Sequence, residues 1–307
     1  MDTALLDGDI IAWRAAVVIQ GKEVDWDGDG QGTVIPVAPE AVAANVRGLV
    51  RNWTKSSGAR KPLVCLSPRD GNTFRRHIIP GYKANRTGEK PEGFDVALET
   101  LESEYDVQRL DGVEADDVLG IFSTNPKLLG RTVIVTIDKD MQSIPGLYFR
   151  PGRDMPGKPR RITQTLADYF WMCQTLIGDP VDGYKGCPGI GKVKAQAALV
   201  DTQRTTNDMW DVVVKLFEEK GMSENEAITQ ARAARILRHG DYNQELGVIK
   251  LWHPYPNSQA SVLRPPRSIT LPLPSLPSTR LAPSQESRLP QRSSKKPATS
   301  GSSSRSR

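Results

Sequence analysis

The chain has 307 residues, enough to bury a core without disulfides and room for one large domain or two modest ones. Hydrophobic residues are 38% and mean hydropathy is −0.44, so a soluble chain is expected, and no apolar run approaches the ~20 residues of a membrane helix. Cys65, Cys173 and Cys187 are too far apart for a disulfide framework or a CxxC zinc site, and His77, His239 and His253 too few for a histidine cage.

The net charge of +5 is unevenly spread. Residues 255–307 hold nine Lys/Arg against Glu286 alone, leaving 32 basic and 35 acidic side chains in the 254 residues before them. The pI of about 9.1 therefore belongs to the C-terminal segment, and nucleic-acid affinity in the body must rest on local clusters. The first residues, Met1-Asp2-Thr3-Ala4, carry no positive side chain before the first apolar run, so no secretory leader is expected, and the cysteine usage suits a reducing cytoplasm.

In chain order, residues 4–11 read as a short strand interrupted by Asp7 and Asp9. Residues 39–55 read as a helix: Pro39 suits the first turn, Val42, Val46, Leu49, Val50 and Trp53 recur at helical spacing, and Gly58 closes it. PLVCLS at 62–67 and TVIVTI at 132–137 are β-rich runs of the kind buried on both faces of a parallel sheet. Helical patterns at 94–105 and 114–123 lie between them, and strands alternating with helices predict an α/β domain. After residue 162 the strand signal stops. Thr165 with Asp168 reads as a capping box, and helices are predicted at 165–177, 192–200, 208–220 and 223–238. The division is an α/β domain over 1–162 and a helical domain over 163–254. From Tyr255 onward there are 14 Ser and nine Pro in 53 residues with no further aromatic, so 255–307 is predicted to be a disordered basic tail able to hold nucleic acid only loosely.

The acids sit at strand ends and helix starts. Asp7 interrupts the first strand and Asp70 follows the second. Glu114, Asp116 and Asp117 open a helix, Asp138 and Asp140 follow the 132–137 strand, and Asp179 and Asp182 follow the 165–177 helix. Ligands of open parallel sheets lie beyond the carboxyl ends of the strands, where these side chains would converge. So many carboxylates without Lys or Arg neighbours repel unless cations neutralise them, and Mg²⁺ or Mn²⁺ suits an all-oxygen cage. Two such ions can activate water and stabilise the leaving oxygen in phosphodiester hydrolysis. Taken singly each acid has a local alternative: Asp116 and Asp117 as first-turn acids, Asp138 as a helix cap.

Two motifs mislead. Asp25-Trp26-Asp27-Gly28-Asp29-Gly30 begins like an EF-hand loop, but position 12 is Pro36 where a bidentate Glu is needed. Gly186 to Lys192 fits GxxxxGK, but Val193 replaces the Ser/Thr of a nucleotide-binding loop and no strand precedes it. The turn has another use. Gly186, Gly189 and Gly191 lead into a helix starting near Lys192, and backbone N–H groups there, with Lys185, Lys192 and Lys194 alongside, make a phosphate seat. A tight helix–helix connection is the plainer alternative. Between Phe74 and Lys90 lie Arg75, Arg76, His77, Tyr82, Lys83 and Arg86, basic residues interleaved with aromatics as single-stranded nucleic acid would require.

LLDGD at 5–9, PGYKANR at 80–86, GVEADDVLG at 112–120, TIDKDM at 136–141 and GDPVDGYKGCPGIGK at 178–192 occur in one order. In these segments the chain resembles the phage-type 5′→3′ exonucleases of the flap-endonuclease superfamily. ARILRHGDYN at 234–243 and LWHP at 251–254 look like the ending of the podovirus-type members. The resemblance covers about residues 4–254. It implies a PIN-like parallel-sheet nuclease domain, then a helix–three-turn–helix (helix-hairpin-helix) DNA-binding domain. It implies metal ligands at Asp7, Asp70, Glu114, Asp116, Asp117, Asp138, Asp140, Asp179 and Asp182, with Asp70 in the loosest context. Tyr82, Lys83 and Arg86 match arch residues acting at the 5′ end, and the glycine turn matches an element that grips duplex phosphates around K⁺; Arg75 and Arg76 are expected to contact DNA from the basic cluster alone, for which a plain basic loop is the alternative. The family commonly has Asn where Gly183 stands, but podovirus-type members share the glycine.

The expected function is a 5′→3′ exonuclease on duplex DNA using two Mg²⁺ or Mn²⁺ ions, with flap endonuclease and RNase H-like activity on RNA–DNA hybrids. It would serve phage replication, primer removal and DNA degradation in the host cytoplasm, with replication proteins as possible partners and no membrane. A PIN-type single-strand ribonuclease and a non-catalytic branched-DNA binding module are the competing readings.

Overall fold

Ala4, Leu5, Leu6 and Asp7 are all buried, and they make the central strand β1 (Thr3–Asp7) of the computed structural model, which describes residues 1–18, 23–24, 33–34, 37–86, 88–200, 205–255 and 262–263. These fall in one unit, residues 1–268; the other, 269–307, and the acidic turn at 25–30 lie outside the described residues. The strand ends at Asp7, earlier than predicted. Asp7 caps a helix, α1 (Gly8–Val17), by accepting the Ile10 amide at 3.1 Å. A cap fixes its own chain reversal, so the apolar run continues as helix instead of strand.

A small antiparallel pair, β2 (Glu23–Val24) and β3 (Thr33–Val34), precedes α2 (Pro39–Ser57). Helix α2 buries Val42, Val46, Val50 and Trp53 along the predicted stripe and closes at Gly58. There follow β4 (Lys61–Cys65), α3 (Phe74–Ile78), α4 (Phe94–Glu104), β5 (Val107–Gln108), α5 (Ala115–Ser123), β6 (Thr132–Val135), β7 (Gly146–Phe149) and β8 (Arg160–Ile162). They form one sheet in the order β5-β4-β1-β6-β7-β8, parallel throughout except at β8. Side chains alternate across it. Leu5 and Ile134 face a layer with Val118 and Leu119 of α5, whereas Leu6, Val133 and Val135 face Ile11, Val46 and Leu101 of α1, α2 and α4.

The chain then turns helical in α6 (Gln164–Ile177), α7 (Lys192–Leu199), α8 (Thr206–Glu218) and α9 (Glu224–Ala234). Their core holds Trp171, Leu176, Trp210, Phe217 and Ala227. The cap of α6 is Thr163, whose hydroxyl accepts the Leu166 amide, and not Thr165. Asp168 is buried and paired with Arg238 at 2.8 Å. Helix α9 stops at Ala234, short of the predicted 238, because the carbonyls of Ala233 and Arg235 are taken by Arg75 and the Leu237 amide by Asp117. The strand signal does not end at 162: β9 (Tyr242–Asn243), β10 (Val248–Lys250) and β11 (Val262–Leu263) form a second sheet. Strand β11 lies in the segment predicted to be disordered, pairing Ile249 with Leu263 and Lys250 with Val262. The rest of that segment lies outside the described residues. No described helix is long and apolar enough to cross a membrane.

The LWHP motif has a packing role. The Trp252 ring meets Trp171 at 4.8 Å and Trp210 at 4.9 Å, both edge to face, and its carbonyl accepts Arg232 Nε. Trp252→Ala should lower the unfolding free energy by about 3 kcal/mol in urea titration, as expected for an aromatic removed from such a cluster.

Candidate active site

The carboxyl ends of β1 and β6 and the start of α5 open on one cleft of about 760 Å³. Eight carboxylates line it: Asp7, Asp9, Glu114, Asp116, Asp138, Asp140, Asp179 and Asp182. Asp7 ends β1 and is 2% exposed, its second oxygen accepting the Thr136 hydroxyl at 2.9 Å. Burial and the charge of Asp9 push its carboxyl up to about 7. Asp9 accepts the Ser67 amide, and burial raises it too. Burial, then Asp7 and Asp138, raise Asp116 well above the usual range. Asp138 accepts the Asp140 amide at 2.8 Å, and burial with Asp138 beside it pushes Asp140 up to about 7. Gln174 of α6 donates to Asp140 at 3.0 Å.

Glu114 behaves oppositely. Burial would raise its carboxyl, but Arg75 and Lys83 hold it below its usual value. As placed, no three His, Cys, Asp or Glu side chains among the described residues enclose an ion-sized point. The donor set nevertheless suits a hard divalent cation. It is all oxygen, and the raised carboxyls reflect burial first and like charge second, both of which a bound cation would offset.

The basic wall comes from the turn after α3. Lys83 is the one non-glycine among the described residues with positive φ, at 54°. Such a conformation typically costs about 1–3 kcal/mol unless its surroundings hold it. Here they do. The Lys83 amide donates to the Asp182 carbonyl at 2.9 Å, and Asn85 donates to the Pro180 carbonyl at 2.9 Å. The Arg86 guanidinium pairs with Asp182 and the Lys83 ammonium with Glu114, while the Tyr82 hydroxyl lies 2.9 Å from Glu114 Oε2. This close contact explains Gly183. Its φ is 82°, and a Cβ there would lie 2.8 Å from the Gly81 carbonyl oxygen.

The glycine turn is built backbone against backbone. Gly178 and Gly186 have φ of 73° and 64°, and a Cβ on either would lie 2.4 Å from main-chain atoms of the facing segment. Gln230 of α9 accepts the Gly186 amide at 2.9 Å. Gly191 caps α7 without a side-chain acceptor, and Lys185, Lys192 and Lys194 are exposed around it with Gly189 and Gly191.

Seven of the nine carboxylates expected from the sequence thus share the cleft. Asp70 does not line it; it lies exposed in the turn after β4 and accepts the Asn72 amide at 3.0 Å. Asp117 is fully buried, with both oxygens committed to Arg75, which removes it from the set able to reach an ion. Arg75 is 3% exposed and therefore faces carboxylates, not DNA, whereas Arg76 is exposed at the cleft. Asp9 was missed as a site residue, although its place two residues after Asp7 was the available signal.

Residues 2–145 match the 5′-3′ exonuclease, N-terminal resolvase-like domain family. The exodeoxyribonuclease of Enterobacteria phage T3 is 32% identical over 249 residues, covering 69% of this chain and 82% of the phage protein. The exonuclease of Escherichia phage T7 is 30% identical with the same coverage. Among solved structures, the T5 D15 protein co-crystallised with metal ions superposes with a TM-score of 0.56 at 17% identity, over 75% of this chain and 88% of that one. The bacteriophage T5 D15 flap endonuclease in a pseudo-enzyme–product complex with DNA and metal ions gives 0.55 at 16% identity, over the same shares. These superpositions show the same fold. An acid-lined cleft at the end of a parallel sheet and a likeness spanning most of two phage nucleases have one reading: the chain belongs to the phage 5′-3′ exonuclease family.

Proposed function

We propose that the chain hydrolyses phosphodiesters from the 5′ end of duplex DNA with a divalent cation, Mg²⁺ or Mn²⁺, and that 5′ flaps and RNA–DNA hybrids are also substrates. The observation that carries this is the cleft itself, lined by eight carboxylates together with Lys83, Arg86, Arg76 and Lys90. Asp7, Asp9, Glu114, Asp116, Asp138, Asp140, Asp179 and Asp182 would hold two ions. Bound there, such ions polarise a phosphoryl oxygen and lower the pKa of water. Lys83, held on a fixed backbone, directs its ammonium into the cleft, where it stabilises charge developing on the reacting phosphate. Arg86 and Tyr82 hold the arch turn against Asp182 and Glu114.

Gly189, Gly191, Lys185, Lys192 and Lys194 would seat backbone phosphates of the duplex, with K⁺ as a candidate ion at the turn, whereas Gly186, buried with its amide given to Gln230, falls outside that set contrary to the sequence expectation. The labour is then divided near residue 162, with chemistry before it and duplex grip in 163–254. The protein would act in the cytoplasm of an infected cell, in primer removal and DNA degradation beside phage replication proteins.

The deciding experiment follows duplexes labelled at the 5′ or 3′ end, with and without a flap, in Mg²⁺ or EDTA. Early release of 5′-terminal nucleotides only in Mg²⁺ is expected. Binding without cleavage would leave a branched-DNA binding module, and cleavage of single-stranded RNA alone a ribonuclease.

Asp138→Asn or Asp140→Asn should lower the saturating cleavage rate by at least ~100-fold while duplex binding persists or tightens. Near-normal turnover in both would refute the ion site. Lys83→Ala should slow the chemical step far more than it weakens binding. Lys192→Ala should weaken binding and reduce the salt dependence by about one phosphate contact.

The acids also predict a pH dependence of stability. Without divalent cation, Asp7 and Asp140 keep protons up to about pH 7 in the folded chain, whereas unfolded carboxyls release them near 3.8. The folded state binds more protons across that window, so stability is highest below it, falls as pH rises to about 7, and is flat beyond. Melting curves of metal-free protein should show this decline. Added Mg²⁺ should raise the melting temperature most at pH 8 and little at pH 5.

A further inference from the structure

The Arg75 guanidinium has five N–H groups, and all five are used. Nε donates to the Ala233 carbonyl at 2.9 Å. One terminal nitrogen donates to Glu114 at 2.9 Å and Asp117 at 2.6 Å. The other donates to the second oxygen of Asp117 at 2.8 Å and to the Arg235 carbonyl at 2.7 Å. Asp117 completes its own set with the amides of Glu114 and Leu237, both at 3.0 Å. One buried cation thus joins three segments: α3, the first turn of α5, and the extended stretch after α9.

That stretch is not an isolated anchor. Helix α9 also carries Gln230, which holds the Gly186 amide of the glycine turn. The Glu114 carboxylate has Arg75 and Tyr82 on one oxygen and Lys83 on the other, so its position in the cleft is set from outside its own helix. A lysine would keep the charge but not the planar fork that reaches both carboxylates and two carbonyls at once.

We propose that Arg75 is a positioning residue for the reaction: it fixes Glu114 in the acid cleft and ties that placement to α9, the helix that also holds the glycine turn. This rests on the reading of the cleft as the hydrolytic site. Arg75 is buried with every N–H given to protein acceptors, so its loss acts on turnover and not on the affinity for DNA.

The test uses the full chain with Arg75→Lys and, separately, Asp117→Asn. Duplex affinity is measured by anisotropy without cleavage, in Ca²⁺. Turnover is measured in Mg²⁺ at saturating duplex, with folding checked by circular dichroism. Both variants should keep the wild-type Kd, while kcat falls about 100-fold, the scale of a catalytic group displaced by an ångström. Should Arg75→Lys not fold, Asp117→Asn decides, since it preserves shape. Folded variants with wild-type kcat, or with weakened Kd and intact kcat, would overturn the positioning role. Absence of Mg²⁺-dependent cleavage in the wild type would instead overturn the reading of the cleft.

Discussion

Repulsion among carboxylates that the fold buries together is the constraint around which the site is arranged. Asp7, Asp116 and Asp140 are raised because burial and like charge act in the same direction. Sequence separation does not reduce that cost, because the parallel strands and helix starts deliver acids from residues 7 to 182 to one cleft. The chain balances only part of the charge. The buried Arg75 and the half-buried Lys83 both go to Glu114, on the side of the arch turn, while among the described residues Asp7, Asp138 and Asp140 enter no ion pair. The asymmetry defines where an added cation gains most.

The geometry around that charge is set by close backbone contacts. The arch turn lies on the 179–184 turn through main-chain hydrogen bonds and the absence of a Cβ at Gly183. Lys83 adopts a backbone conformation that a lysine would rarely choose alone. Its ammonium therefore enters the cleft from a frame rigid at the Cα, which spares the ordering of one end of a flexible side chain.

Much of this was legible in the sequence. Long periodic helices such as α2 and buried β-branched runs such as β6 announced themselves because burial imposes its period on the residues. The acids clustered because strand ends are where such a sheet places a site. What escaped depended on distant partners. Arg75 sits in a basic, aromatic-flanked segment, and nothing local marks it as buried against Asp117, 42 residues on. The early end of α9 was hidden for the same reason, since tertiary donors and acceptors replace the helix ladder there. Strand β5 is two residues long, and β11 lies in a Pro- and Ser-rich context, so neither carries enough pattern to register. Asp9 lies in the first turn of α1, and only the early end of β1 at Asp7 brings it to the cleft beside Asp7.

The core layer on the α5 side of the sheet contains Ile236, Leu237, Tyr242, Ile249 and Leu251 beside Leu5, Val118 and Ile134. Residue 162 is therefore not a folding division. The segment that follows the helices supplies apolar surface without which the first 162 residues would leave α5 partly uncovered. Autonomy has been exchanged for cooperativity: exchanging the helical half with that of a relative would require transplanting the returning strap as well.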